Sequence, residues 1–331
     1  MLVSRRLVRW PLAMNARQLR RPLALAIHGG AGVIERNALG AEAERAIRAE
    51  LDRVLDAGHA VLGNGGTALD AVEAAVAMLE DSPYFNAGYG AVFTADGRHE
   101  LDASIMDGHG RRAGAVAGVS TVRHPVQLAR RVLEESSHVF LIGEGAEQYA
   151  DTHPDIERVP NEWFDTEPRR EQLRQAQQRE QRAWKASQDL RGKYFGTVGA
   201  VALDSHGHVA AATSTGGMTN KRWGRVGDSP LIGAGTWADA HCAVSCTGWG
   251  EYYIRNAVAH DIAARVAYRG DRLQVATEDV ILGEVPAHGG DGGAIALDRE
   301  GNIALVLSTA GMYRGWIGPD GSRGIAIYQD A

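Results

Sequence analysis

The stretch Gly196-Thr197-Val198-Gly199 holds the residues whose chemistry is easiest to argue from type and spacing. A threonine hydroxyl is a weak nucleophile near neutral pH and needs a base within hydrogen-bond reach. A free α-amine titrates at about 7.7 to 8.0, and on the threonine itself it is already in place. Cutting the peptide bond before Thr197 creates that base. Small Gly196 lets the Thr197 hydroxyl approach the preceding carbonyl, and the bond lies between a charged, solvated segment and an apolar strand pattern. Taken alone, a Gly-Thr pair reads more simply as one more β-branched residue in a strand.

Other chemistries find less support. No G-x-S-x-G elbow is present for a serine hydrolase. The twelve histidines show no spacing that suggests zinc, and His28, inside a glycine turn, reads as structural. Cys242 and Cys246 fall on one face of an apolar run and read as buried free thiols. A net charge of -6 removes the attraction to phosphate backbones on which nucleic-acid binding depends. No run reaches the length of a membrane span. The basic first residues, interrupted by Trp10, Pro11 and Asn15, lack a signal-peptide core, so a cytoplasmic location is expected, with Met14 an alternative start. Small-molecule or peptide-like partners are expected.

The elements that position Thr197 follow from periodicity. Leu23 to Ile27 reads as a buried strand closed by the glycine turn His28-Gly29-Gly30-Ala31-Gly32. A helix is predicted from about Ala41 to Leu62, and a second is capped by Thr67. Ala91–Thr94, Ala115–Ser120 and Val139–Ile142 read as strands, with a helix from about Pro125 to Glu135. Residues from about 165 to 195 are crowded with Arg, Glu and Gln, cannot bury a face, and read as an exposed, partly helical linker. Beyond it, Val198–Leu203 and Val209–Ala212 form a hairpin around Asp204-Ser205-His206-Gly207, and Ala294–Leu297 and Ile303–Leu307 form another. A helix is expected between them from about Glu251 to Tyr268. Glycine supplies 41 of 331 residues, above the usual share of about 7%, so close backbone approaches are implied. This order suggests antiparallel sheets between helical layers, an α+β arrangement.

From about Leu23 the chain resembles the isoaspartyl peptidase and plant-type (type III) L-asparaginase family of N-terminal-nucleophile hydrolases. The resemblance is carried by His28-Gly29-Gly30-Ala31-Gly32, Phe85-Asn86-Ala87-Gly88, Glu100-Leu101-Asp102-Ala103-Ser104 and Gly196-Thr197-Val198-Gly199-Ala200-Val201-Ala202. It continues in Thr213-Ser214-Thr215-Gly216-Gly217, Gly224-Arg225-Val226-Gly227-Asp228-Ser229-Pro230, Gly233-Ala234-Gly235 and Thr247-Gly248-Trp249-Gly250-Glu251. Eight stretches in the family's order and spacing are far more specific than any one.

The resemblance implies a four-layer αββα sandwich: an extension over 1–22, then a single domain over 23–331 that is processed into 1–196 and 197–331. It implies that Thr197 is the nucleophile and Gly196-Thr197 the cleavage site. Thr215 would steady the nucleophile, Asn86 would buttress it, and the Thr247 hydroxyl with the Gly248 N–H would form the oxyanion hole. Arg225 and Asp228 would grip the substrate's α-carboxylate and α-ammonium; as an isolated pair they read as a surface salt bridge. Leu79, Glu80, Ser82, Phe85, Ala87 and Tyr89 would hold a structural sodium ion through backbone carbonyls, and no organic cofactor is implied. Trp249, beside the oxyanion glycine, would narrow the pocket. The implied reaction is hydrolysis of β-aspartyl peptides and L-asparagine by a homodimer of cleaved protomers. The rival readings are a glycosylasparaginase and an uncleaved aspartate-binding protein.

Overall fold

The computed structural model describes residues 22–34, 36, 39–183 and 196–329. Residues 1–21, with Met14 and nearly all of the expected extension, and linker residues 184–195 lie outside them. In the first part of the chain come β1 (Ala24–Gly32), α1 (Ala41–Gly63), α2 (Ala68–Glu80), β2 (Leu101–Asp107) and β3 (Arg112–Val119). They are followed by α3 (Pro125–Glu135), β4 (Phe140–Ile142), α4 (Gly143–Asp151) and α5 (Glu167–Ala183). After the linker come β5 (Val198–Leu203), β6 (Val209–Thr215), β7 (Thr236–Ala238) and β8 (Cys242–Gly248), then α6 (Gly250–Asn256), α7 (Val258–Ala264) and α8 (Leu273–Glu278). Strands β9 (Gly292–Asp298), β10 (Ile303–Leu307), β11 (Gly311–Ile317) and β12 (Arg323–Tyr328) complete it.

Two sheets face each other. One has eight strands in the order β12-β11-β1-β5-β6-β2-β3-β4, the other four in the order β10-β9-β8-β7. Strand alternation divides the apolar side chains between layers. Leu25, Ile27, Ala200 and Ala202 face α1 to α3, whereas Ala24, Ala26, Val201 and Leu203 meet Ala243, Ile295 and Leu297 of the smaller sheet. Val244, Cys242 and Cys246 turn the other way, onto Ala259, Ile262 and Ala276 of α7 and α8. The result is the α+β, αββα sandwich. Both free cysteines are buried on one face of β8, as alternation requires.

Local differences from the sequence reading have identifiable causes. The glycine run does not end β1: the strand continues to Gly32 through a bulge between His28 and Gly30, where Gly30 takes φ +110°. Ala91–Thr94 is not a strand but a buried segment with one bridge, Thr94 to Lys221. Its backbone is satisfied elsewhere, since the Val92 N–H donates to Asn86 Oδ1 and the Phe93 carbonyl accepts from the Asn220 N–H. The helix expected over Glu251 to Tyr268 breaks at Ala257, whose φ is 46°. There the Ala259 and His260 N–H groups bond to the carbonyls of Ala234 and Gly233 instead of the preceding turn. The charged segment does bury a face: α5 buries Leu173 and Arg169, whose Nε donates to the Gly90 carbonyl at 2.7 Å. Helix α2 begins as predicted, with Thr67 and Asp70 forming a reciprocal capping box.

Candidate active site

Thr197 is buried and immediately precedes β5, a strand in the interior of the large sheet. Val198 pairs with Ser214, so one step further along the register brings Thr197 beside Thr215. The Thr197 backbone N–H donates to Thr247 Oγ1 at 3.3 Å, and that oxygen also accepts from the Ala31 N–H at 3.1 Å. The Thr197 hydroxyl lies 3.2 Å from the Ser229 hydroxyl. Ser229 was not singled out in the sequence, although it lies in the same motif as Arg225 and Asp228. Its carbonyl is fixed by Ser104 Oγ at 2.6 Å.

Beneath Thr197 runs a buried hydroxyl chain between the sheets. Ser104 Oγ meets Thr236 Oγ1 at 2.8 Å, Thr213 Oγ1 meets Ser245 Oγ at 2.7 Å, and Ser245 Oγ meets His28 Nε2 at 2.9 Å. Burial pushes the His28 imidazole down to about 3, a backbone contact with Thr197 opposing in part, so the ring is neutral near pH 7. Strand alternation places these groups on facing sheet surfaces, but single-residue patterns do not reveal which hydroxyls meet.

Thr215 and Asn86 shape the neighbouring turn. The Gly217 N–H donates to Thr215 Oγ1 at 3.0 Å, while Asn86 Nδ2 donates to the Gly217 carbonyl at 2.8 Å. Thr215 is thus next to Thr197 in register, and Asn86 reaches it through the turn. Thr247 and Gly248 close β8 opposite Gly293 and Gly292.

Arg225 and Asp228 converge on Gly250. A methyl group there would stand 2.7 Å from Arg225 Nη2 and 3.1 Å from Asp228 Oδ1, so glycine keeps the space between the two charges open. Arg225 is half-filled already: its Nε and Nη2 each donate to a Glu251 oxygen at 2.9 Å. Burial pushes the Asp228 carboxyl up to about 7 against the lowering effect of Arg225, and Asp228 Oδ2 has no partner among the described residues. A buried, unsatisfied carboxylate beside an open space suits an ammonium group. Trp249 packs edge-on against Tyr252, ring centroids 4.9 Å apart, and its side chain hydrogen-bonds Glu251.

The loop after α2 presents main-chain oxygens. A methyl group on Gly88 would lie 2.1 Å from the Glu80 carbonyl oxygen, and one on Gly90 would lie 2.0 Å from that of Phe85 and 2.8 Å from that of Ser82. The Leu79 and Ala87 carbonyls accept from Ser82 and Gly90 N–H groups, and the Tyr89 ring packs on Trp163. The Glu80 carboxylate is engaged elsewhere, accepting from Ser214 Oγ at 2.6 Å and the Val126 N–H at 3.1 Å. An oxygen-rich cradle without coordinating carboxylates fits a hard monovalent cation. Among the described residues, no group of three His, Cys, Asp or Glu side chains is placed to hold a metal, and no helix is long and apolar enough to cross a membrane.

The four layers, with a threonine heading a central strand, define an N-terminal-nucleophile hydrolase fold. The chain belongs to the asparaginase family, which it matches over residues 21–327. It is 52% identical over 299 residues to an isoaspartyl peptidase of Salmonella typhimurium, covering 88% of this chain and 94% of the relative. It is 53% identical over 296 residues to an isoaspartyl peptidase of Escherichia coli, covering 88% and 92%. A plant-type L-asparaginase of Pyrococcus abyssi is 41% identical over 302 residues, covering 88% and 94%.

Proposed function

We propose that this chain cuts itself between Gly196 and Thr197 and then hydrolyses β-aspartyl dipeptides and L-asparagine to L-aspartate. The observation that carries the reading is the convergence of Arg225 and Asp228 on the open face of Gly250, in a chain whose relatives are named isoaspartyl peptidase and L-asparaginase. A guanidinium and a carboxylate facing one small space match the α-carboxylate and α-ammonium of an aspartyl unit. Both groups are free only when the scissile carbonyl belongs to the side chain.

The residues divide the work. The Thr197 hydroxyl passes its proton to the freed Thr197 amine as its oxygen attacks the side-chain carbonyl. The Thr247 hydroxyl and the Gly248 N–H receive the oxyanion, which two preorganised donors stabilise by a few kcal/mol. The Thr197 ammonium then protonates the leaving amine, and water, deprotonated by the same amine, hydrolyses the acyl-enzyme. Thr215 and Ser229 hold the nucleophile, and Asn86 supports the turn behind it. The main-chain cradle at Glu80, Ser82 and Phe85 holds a sodium ion in this reading, with Leu79, Ala87 and Tyr89 completing the loop. Cytoplasmic location and a dimer of cleaved protomers belong to the same proposal.

The test is intact mass of purified protein, with release of leucine from β-Asp-Leu and α-Asp-Leu. Two fragments meeting at Gly196/Thr197 and hydrolysis of the β-linked dipeptide are expected. A single chain, or comparable cleavage of both dipeptides, would overturn the reading.

A further inference from the structure

Arg225 carries five N–H donors in one plane. Glu251 takes the side of that fork, through Nε and Nη2. The end of the fork, formed by Nη1 and the outer Nη2 hydrogen, meets no acceptor among the described residues. It lies against two glycines: a methyl group on Gly227 would stand 2.8 Å from Nη1, and one on Gly250 would stand 2.7 Å from Nη2. The open end therefore borders the space that Asp228 also faces.

Glu251 is itself held. It lies in the first turn of α6, and its carboxylate accepts hydrogen bonds from Arg225 and from the Trp249 side chain. Burial pushes its carboxyl up, but these hydrogen bonds and the Arg225 charge outweigh burial and leave it below the ordinary glutamate range. The Glu251 carboxylate thus sits side-on to the guanidinium, each of its oxygens accepting one Arg225 hydrogen bond. It also balances the Arg225 charge, leaving Asp228 to be answered by a ligand's ammonium.

We propose that Glu251 is a positioning residue of the substrate clamp, fixing Arg225 side-on so that its end-on edge meets the α-carboxylate of the aspartyl unit. The proposal rests on Arg225 as the carboxylate-binding residue. An arginine freed from Glu251 keeps its charge but loses its orientation, so recognition of the α-carboxylate fails selectively. L-Aspartate and β-alanine separate the two effects, because β-alanine is aspartate without its α-carboxylate.

The experiment compares matured wild type with Glu251→Gln and Glu251→Asp, measuring binding of L-aspartate and of β-alanine by calorimetry, and kcat and KM for β-Asp-Leu. For Glu251→Gln, weakening of aspartate binding and a rise in KM by about tenfold are expected, with a far smaller fall in kcat and unchanged β-alanine binding. Equal weakening of both ligands, or a loss confined to kcat, would overturn the proposal. If Glu251→Gln does not mature, Glu251→Asp decides, since it keeps the charge but shortens the reach and should show the same aspartate-selective loss. Wild type that binds aspartate yet leaves β-Asp-Leu intact would refute the reaction proposed above, while the two-ligand comparison still decides the role of Glu251.

Discussion

Gly30 and Gly196 meet backbone to backbone. A methyl group on Gly196 would stand 2.2 Å from the Gly30 Cα, and one on Gly30 would stand 2.6 Å from the Gly196 Cα. The bulge in β1 and the positive φ of Gly30 exist at the point where the chain enters β5. Replacing Gly30 by Ala would push the Gly196-Thr197 peptide out of register with the Thr247 hydroxyl. Self-cleavage of the Gly30→Ala protein is expected to slow by at least about a hundredfold, a displacement effect on a positioned nucleophile, and a time course of intact mass checks it.

Ser229 offers the Thr197 hydroxyl a partner at 3.2 Å. Removing that hydroxyl with Ser229→Ala is expected to lower kcat for β-Asp-Leu about tenfold, the worth of one neutral hydrogen bond, with KM little changed. Steady-state kinetics on the matured variant give the answer, and an unaltered kcat would remove Ser229 from the site.

If Asp228 holds the ligand's ammonium, ligand binding is linked to pH. Its carboxyl is raised to about 7 in the folded chain against an ordinary value of about 3.9, so the folded state favours the proton. The stability contributed by the protonated form is full below about pH 4 and is lost as pH rises through about 7. A bound ammonium reverses this by pairing with the carboxylate. Aspartate should therefore raise Tm more near pH 8 than near pH 6, and Asp228→Asn should abolish that difference in a thermal-shift series.

The carbonyl cradle makes a prediction that needs no substrate. At constant ionic strength, sodium chloride should raise Tm above the value in choline chloride, by a few degrees for a site of modest affinity. Gly88→Ala, whose methyl group would stand 2.1 Å from the Glu80 carbonyl oxygen, should abolish the difference. Equal Tm values in the two salts would remove the cation from the loop.

The long periodic elements were legible in the sequence, because amphipathic spacing in α1 and turn chemistry around residues 204–207 act locally. The place of Thr197 at the head of a buried strand was legible from the apolar pattern after it, whereas its expected role as nucleophile came only from the family resemblance, since an isolated Gly-Thr pair reads as a strand residue. Short elements whose backbone is satisfied from a distance were not legible. Ala91–Thr94 has strand composition, but Asn86 and Asn220 take up hydrogen bonds that a neighbouring strand would otherwise make. The break at Ala257 depends on the carbonyls of Gly233 and Ala234, some twenty-five residues earlier. The role of Glu251 could not be read from spacing, since it turns on which edge of the Arg225 fork faces the pocket.

The strand order has a consequence for a chain cut before Thr197. In the large sheet β1 lies between β11 and β5, and β6 pairs with β2, so strands from before and after residue 196 alternate across it. The two halves are interlaced rather than abutted. Separating them would mean stripping three antiparallel ladders from the middle of the sheet, which is the same event as melting the domain. A cut before Thr197 would therefore leave the two pieces bound together: they would share one melting transition, and neither could be exchanged for a fresh copy without complete unfolding.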